Sequence, residues 1–216
     1  MTPRALAAAA ALGGAALFAS ACTIEIGSGE TVAETYEVGD FSRISVDRAW
    51  TARVDVGPET SVEVQVDKEA LDNVDIRVEG DTLIVDLEGG LFSISGDLDV
   101  HITTPELVGL KADGASQVDI DDLDADRFEL DVDGASQVTA DGDVGELVIQ
   151  ADGASQIDFD RVTVASAEVD GNGASQIGLT AAAEVRGRLD GASQLDVSDT
   201  TSVDVATNGA SSVNRR

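Results

Sequence analysis

The chain has 216 residues and a formal charge of −29, with 42 Asp and Glu against 13 Lys and Arg. That balance argues against recognition of a phosphate backbone and against electrostatic docking on anionic lipid. A single cysteine excludes an internal disulfide, and 3% aromatic content leaves few platforms for stacking on sugar rings.

Residues 1–21 read as an export signal. Arg4 supplies a positive charge, Ala5 to Ala21 carry no charged side chain, and Cys22 follows Ala19-Ser20-Ala21. The stretch is too short and alanine-rich for a convincing permanent membrane span. A sole cysteine behind small residues resembles the bacterial lipoprotein lipobox, with Ala19 where that motif usually has leucine. The resemblance implies cleavage before Cys22, a diacylglycerol thioether on its sulfur, and a lipid-anchored protein on the extracytoplasmic face. The alternative is an ordinary secretory peptide cleaved near Ala21. Residues 22–33 are then the lipidated cysteine and a polar tether containing Gly27 and Gly29.

Residues 34–216 read as one continuous domain in two parts. In the first, 34–107, apolar and polar residues alternate over Phe41 to Val46, Ala52 to Val56, Val62 to Val66, Val74 to Val78, Leu83 to Leu87 and Leu98 to Ile102. Gly57-Pro58, Asp72-Asn73, Gly80-Asp81 and Gly89-Gly90 separate these strands as turns. Trp50, Tyr36 and Phe92 are expected to seal one end of the fold.

In the second part, 108–216, Gly-Ala-Ser occurs six times, at Gly114, Gly134, Gly153, Gly173, Gly191 and Gly209, in steps of 20, 19, 20, 18 and 18 residues. Apolar residues stand six before each glycine (Val108, Phe128, Leu147, Ala167, Val185, Val203) and four after it (Val118, Val138, Ile157, Ile177, Leu195, Val213). Alternation of this kind marks strands with one buried face. Asp or Asn before each glycine marks a tight bend with positive φ. The alanines after it suggest a corner too narrow for larger side chains. Strands without intervening helices, repeating at about 19 residues, predict an all-β fold: a parallel β-solenoid whose coils stack roughly 4.8 Å apart.

Gln117, Gln137, Gln156, Gln176 and Gln194 follow the serines and stack in one column. The structural reading has their amides bonding one another along the axis, with the serines bonding the corner backbone. The functional reading makes the same column a surface that binds a repeated ligand such as glycan. Neither is catalytic, because the repeated serines have no histidine beside them to act as base. Calcium between the acidic columns is conceivable, but no Gly-Gly-x-Gly-x-Asp repeat or helix-loop-helix site is present, so no metal or cofactor is expected. His101, the single histidine, has the setting of an ordinary strand residue.

From residue 34 to 214 the chain resembles the head GIN domain family of auto-transporter adhesins. The resemblance runs through Val38-Gly39-Asp40-Phe41-Ser42-Arg43-Ile44-Ser45-Val46, Gly80-Asp81-Thr82-Leu83-Ile84-Val85, Val100-His101-Ile102-Thr103-Thr104-Pro105-Glu106-Leu107, and the Gly-Ala-Ser turns. It implies a right-handed, single-stranded β-helix in the cell envelope or on its surface, with no catalytic residues to carry over. The function expected is non-enzymatic: a rigid, repetitive surface for adhesion or contact with a glycan or envelope protein. The alternative is an extracytoplasmic sensory domain serving a separate membrane partner, followed by a polysaccharide-active enzyme. Uncapped solenoid ends make a homo-oligomer reasonable, with Arg215 and Arg216 as charges placed against open-ended stacking.

Overall fold

The computed structural model describes residues 30–89 and 97–216; the leader, Cys22, the tether through residue 29, and Gly90 and Phe92 lie outside them. All the extended elements join one sheet that winds on itself as a β-solenoid, and no α-helix occurs among the described residues. In the repeats, β9 (Gln117–Val132), β10 (Gln137–Ala151) and β11 (Gln156–Gly171) each run through most of a coil. The strands then shorten to β12 (Gln176–Leu179), β13 (Ala182–Leu189), β14 (Gln194–Val197), β15 (Ser202–Thr207) and β16 (Ser212–Arg215). Equivalent residues pair in parallel from coil to coil, for example Gln137 with Gln117 and with Gln156.

That register stacks the apolar columns inside. Val118, Val138, Ile157, Ile177 and Leu195 are at most 3% exposed, and each such aliphatic side chain contributes about 1.5–3 kcal/mol on burial. Phe128 and Phe159 stack with ring centroids 6.4 Å apart and planes 29° off parallel. One coil has its interior open above and below, so burial is completed only by its neighbours.

The coils of β9, β10 and β11 turn sharply once. At the Gly-Ala-Ser corner the chain reverses, whereas at the opposite bend β9, β10 and β11 continue as strand. That bend is made by a slip in register between Ala140 and Gly142, with Gly142 at φ 134° and Asp122 at φ 58°. In these three coils the expected unit of two strands and two turns is instead a strand with one corner and one bulge, whereas β12 with β13 and β14 with β15 keep it, with turns at Thr180–Ala181 and Asp199–Thr200.

The corner also works differently from the expectation built on its alanines. Ala115, Ala135, Ala154, Ala174, Ala192 and Ala210 are exposed, and the serines beside them point inward. The tight residue is the glycine. Gly134 has φ 74°, and a Cβ built on it would sit 2.4 Å from the Gly114 carbonyl oxygen of the coil before. That oxygen accepts the Ala135 N–H at 2.8 Å, so the hydrogen bond joining successive corners occupies the space a side chain would need.

The first part of the domain caps the stack and hides one more corner. β2 (Arg43–Val46) pairs with β8 (Gly109–Ala112), and β3 (Thr51–Val56) pairs with β9, so that Val46 faces Ala112 and Thr51 faces Gln117. Arg48-Ala49-Trp50-Thr51 thus occupies the level of Gly114-Ala115-Ser116-Gln117. Arg48 adopts the corner's positive φ, 73°, and its carbonyl accepts from Ala115 N–H. On the outer side of this coil lies a later piece of chain: β6 (Thr82–Leu87) beside β2, and β7 (Asp99–Thr104) beside β3. The second coil in sequence is therefore the outer one, and the first is held between it and the repeats.

Beyond it, pairing turns antiparallel. β5 (Val74–Glu79) covers β6, β4 (Ser61–Asp67) covers β7, and β1 (Thr31–Tyr36) covers β4. Trp50 accordingly does not seal the end of the solenoid as expected. It is fully buried one layer in, where the repeats have serine, while Tyr36 lies half-buried on β1.

Candidate functional site

The candidate site is the outer face of the sheet that follows the corner. Gln117, Gln137, Gln156 and Gln176 are exposed there and Gln194 is half-buried, all five in one register column. Two residues along each strand runs a second outward column: Asp119, Thr139, Asp158, Gly178 and Asp196. The pattern follows from the strand period, which turns every second side chain to solvent once the apolar set is buried.

The amides do not bond one another. Among the described residues, the one hydrogen-bonding partner of this column is Asp196, which accepts from Gln194 Nε2 at 3.2 Å. Serine, by contrast, does bond the corner backbone, most completely at Ser155 and Ser175. Ser155 Oγ donates to the Asp152 carbonyl at 2.6 Å and lies 3.2 Å from the Val132 carbonyl of the coil before. Ser175 repeats this with Asn172 at 3.0 Å and Ala151 at 3.2 Å.

On the glutamine face lies a hollow of about 260 Å³, bordered by Gln156, Gln176, Asp158, Asp160, Asp196 and Arg216. It opens where Gly178 leaves a gap in the second column. Asp160 leans over that glycine, 2.8 Å from where its Cβ would be, and accepts from Thr180 N–H at 3.1 Å and from Arg216 Nη2 at 2.5 Å. Where the face continues onto β7, the His101 imidazole lies outside the barrel with Nε2 against the Asp55 carboxylate.

The opposite sheet neutralises its acids more completely. Arg43 crosses Gly109 to reach Glu129 at 2.9 Å, and Arg127 bridges Glu129 at 3.1 Å and Glu146 at 2.7 Å. The hydrogen bond from Arg43, then that from Arg127, holds the Glu129 carboxyl below the ordinary carboxylate range. Burial, and secondarily neighbouring aspartates, pushes Asp131 and Asp47 up. In the corner column Asn208 donates to Asp190 at 2.8 Å, so an amide interrupts the run of like charges. A cleft of about 540 Å³ opens on this side between Glu106 and the Asp124–Arg127 segment. No group of three or more His, Cys, Asp or Glu side chains suited to a metal occurs among the described residues.

With this geometry in view, the sequence matches the family "Putative auto-transporter adhesin, head GIN domain" over residues 40–215. The chain belongs to that family. The solenoid described above is thus a GIN domain, and its fold recurs in solved structures. A "putative adhesin" from Bacteroides fragilis NCTC 9343 superposes with a TM-score of 0.70 at 14% identity, covering 88% of this chain and 99% of its own. A "putative lipid binding protein" from Parabacteroides distasonis ATCC 8503 gives a TM-score of 0.57 at 13% identity, over 88% and 98%. At such identities the likeness concerns the fold. No curated protein matches the sequence. The family's name is that of an adhesin head domain, and among the described residues no helix is long and apolar enough to cross a membrane.

Sequence reasoning placed the five glutamines in one column and missed three features of the GIN domain. These are the Arg48 corner, the Gly178 hollow and the Arg43 bridge over Gly109. A signal existed for the first, since Asp47 and Ala49 keep the spacing of Asp113 and Ala115 between alternating strands.

Proposed function

We propose that this GIN domain is a non-enzymatic, extracytoplasmic adhesion module, anchored in the membrane by acyl chains on Cys22. The observation that carries the reading is the parallel register, which presents one glutamine at the same outward position coil after coil instead of converging distinct groups on one point. Repeated presentation suits a partner that is itself extended or repetitive, because weak contacts in register add to a firm attachment. A diacylglycerol with a further acyl chain supplies two or more chains at about 0.8 kcal/mol per buried methylene, enough for stable anchorage.

The test has two arms. Cells fed a clickable palmitate analogue should label the protein, and Cys22→Ser should abolish the label and release the protein to the medium. Cells displaying the anchored protein should adhere to matrix-coated or polysaccharide-coated surfaces better than cells lacking it. Equal adhesion by the two strains across such surfaces refutes the adhesion module. A released, unlabelled wild-type protein refutes the anchor.

A further inference from the structure

We infer that the glutamine face binds a polysaccharide free of negative charge, laid along the solenoid axis across Gln117, Gln137, Gln156, Gln176 and Gln194. This deepens the adhesion reading and rests on it: it names the surface and the class of partner.

The fold gives no reason for the glutamines. Their backbone N–H groups hold the register, as in Gln137 N–H to the Ser116 carbonyl at 2.8 Å, but the side chains project outward without bonding to one another. Burial of the apolar columns fixes the strands whatever stands on the outside. A glutamine column that stacks its amides has a structural purpose; one that leaves them free for solvent has none. What the free amides do have is chemistry. Each offers two donors and an acceptor, and Asp119, Asp158 and Asp196 offer further acceptors one column away. A sugar hydroxyl donates one hydrogen bond and accepts others, so paired amides and carboxylates can satisfy it on both counts.

Geometry and charge narrow the partner. Successive amides rise by roughly 4.8 Å, so two coils span roughly 10 Å, the length scale of a β-linked disaccharide repeat. The exposed corner alanines keep the edge beside the glutamines low, so a chain can lie against the column unobstructed. At Gly178 the face dips into the hollow of about 260 Å³, room for a ring substituent to enter between Gln156 and Gln176. The carboxylates of Asp119, Asp158 and Asp196 repel a polyanion, and Arg216 at the hollow is already paired with Asp160, which leaves neutral and amine-bearing glycans. Without aromatic platforms each contact is weak, and retention depends on several coils acting together.

The test uses the full-length protein carrying Cys22→Ser, incubated with insoluble chitin, chitosan, cellulose and, as a polyanion, heparin beads. Retention is expected on at least one of the first three and not on heparin alone. The combined variant Gln137→Ala, Gln156→Ala, Gln176→Ala should lose retention by about tenfold or more while melting as the parent does. Arg186→Ala with Arg188→Ala, on the other sheet, should change nothing. Absence of retention on all three, retention on heparin only, or an unaffected triple glutamine variant overturns the inference. The adhesion reading is scored separately on anchored cells. If wild-type and triple-variant cells adhere equally and better than cells without the protein, the glutamine face is wrong and adhesion stands. If wild-type cells adhere no better than cells without it, adhesion itself fails.

Discussion

Replacing Gly153 by alanine tests the account of the corner most directly. Gly153 has φ 77°, and a Cβ there would lie 2.4 Å from the Gly134 carbonyl oxygen. The left-handed conformation alone costs an L-residue about 1–2 kcal/mol. The contact adds an overpacking cost of about 1–3 kcal/mol, because the obstructing atom is backbone already accepting from Ala154 N–H at 2.7 Å and cannot swing aside. Together these predict a loss of about 2–5 kcal/mol for Gly153→Ala. Its neighbour behaves oppositely: Ala154 is exposed, so Ala154→Leu should stay within about 0.5 kcal/mol of the parent. Urea denaturation of both variants gives the comparison. Hydrogen exchange at the Ala154 and Ala174 amides then localises the loss, since a stacked array need not unfold in one step. If Gly153→Ala costs under about 1 kcal/mol, or Ala154→Leu costs as much as it does, the glycine does not set the corner.

Trp50 is the only tryptophan, fully buried with its indole N–H lacking an acceptor. Its emission should be strongly blue-shifted and resist acrylamide quenching; Trp50→Phe should stay within about 1 kcal/mol of the parent, and Trp50→Ala should cost about 3–5 kcal/mol. Ser155→Ala removes a hydroxyl bonded to the Asp152 carbonyl and should cost about 1 kcal/mol by urea titration. The pH dependence has a definite sign. Asp131 and Asp47 are raised by burial, so just above the ordinary carboxylate range the folded state holds more protons than the unfolded one, and stability rises as pH falls. Relief of self-repulsion in a chain of charge −29 acts the same way, so the melting temperature should climb as pH is lowered from 7 towards 5. At still lower pH Glu129, held low by Arg43 and Arg127, takes up its proton and the trend reverses. A melting temperature that falls steadily from pH 7 downward contradicts this.

How much of this was legible beforehand depends on how closely each coil copies the next. The repeats advertise their corners because a close backbone contact admits only glycine and a doubly bonded inward hydroxyl suits serine. At Arg48 and Trp50 both markers are gone. Arginine tolerates the positive φ at a cost, offset in part by its 2.7 Å contact with Asp86, and tryptophan fills an interior that serine elsewhere leaves narrow. The order of the coils was not legible at all. Alternation predicts that β2, β3, β6 and β7 are strands, but it carries no information on which dissimilar coil lies outside which. The alanines were misread for a related reason: a column of small residues results equally from a confined place and from an exposed turn, and pattern alone does not separate the two.

Uniformity within a repeat is informative only after its structural causes are subtracted. The buried column six before each corner glycine holds Val108, Phe128, Leu147, Ala167, Val185 and Val203, so the interior accepts different shapes from coil to coil. Glycine repeats because a carbonyl 2.4 Å from a virtual Cβ excludes a side chain, and serine because its inward hydroxyl bonds the corner backbone, as at Ser155. The second outward column shows what an unconstrained surface does, for it drifts through Asp119, Thr139, Asp158, Gly178 and Asp196. Beside it, on the same strands and for the most part more open to water, glutamine recurs in five coils with neither a core to fill nor a partner amide to meet. The exposed alanines recur as well, but a methyl group offers a ligand no more than clearance. In the glutamine column, Gln117, Gln137, Gln156 and Gln176 combine outward exposure with hydrogen-bonding capacity left unused by the fold, while Gln194 is half-buried and spends an N–H on Asp196. The proposed glycan contact would draw on that unused capacity.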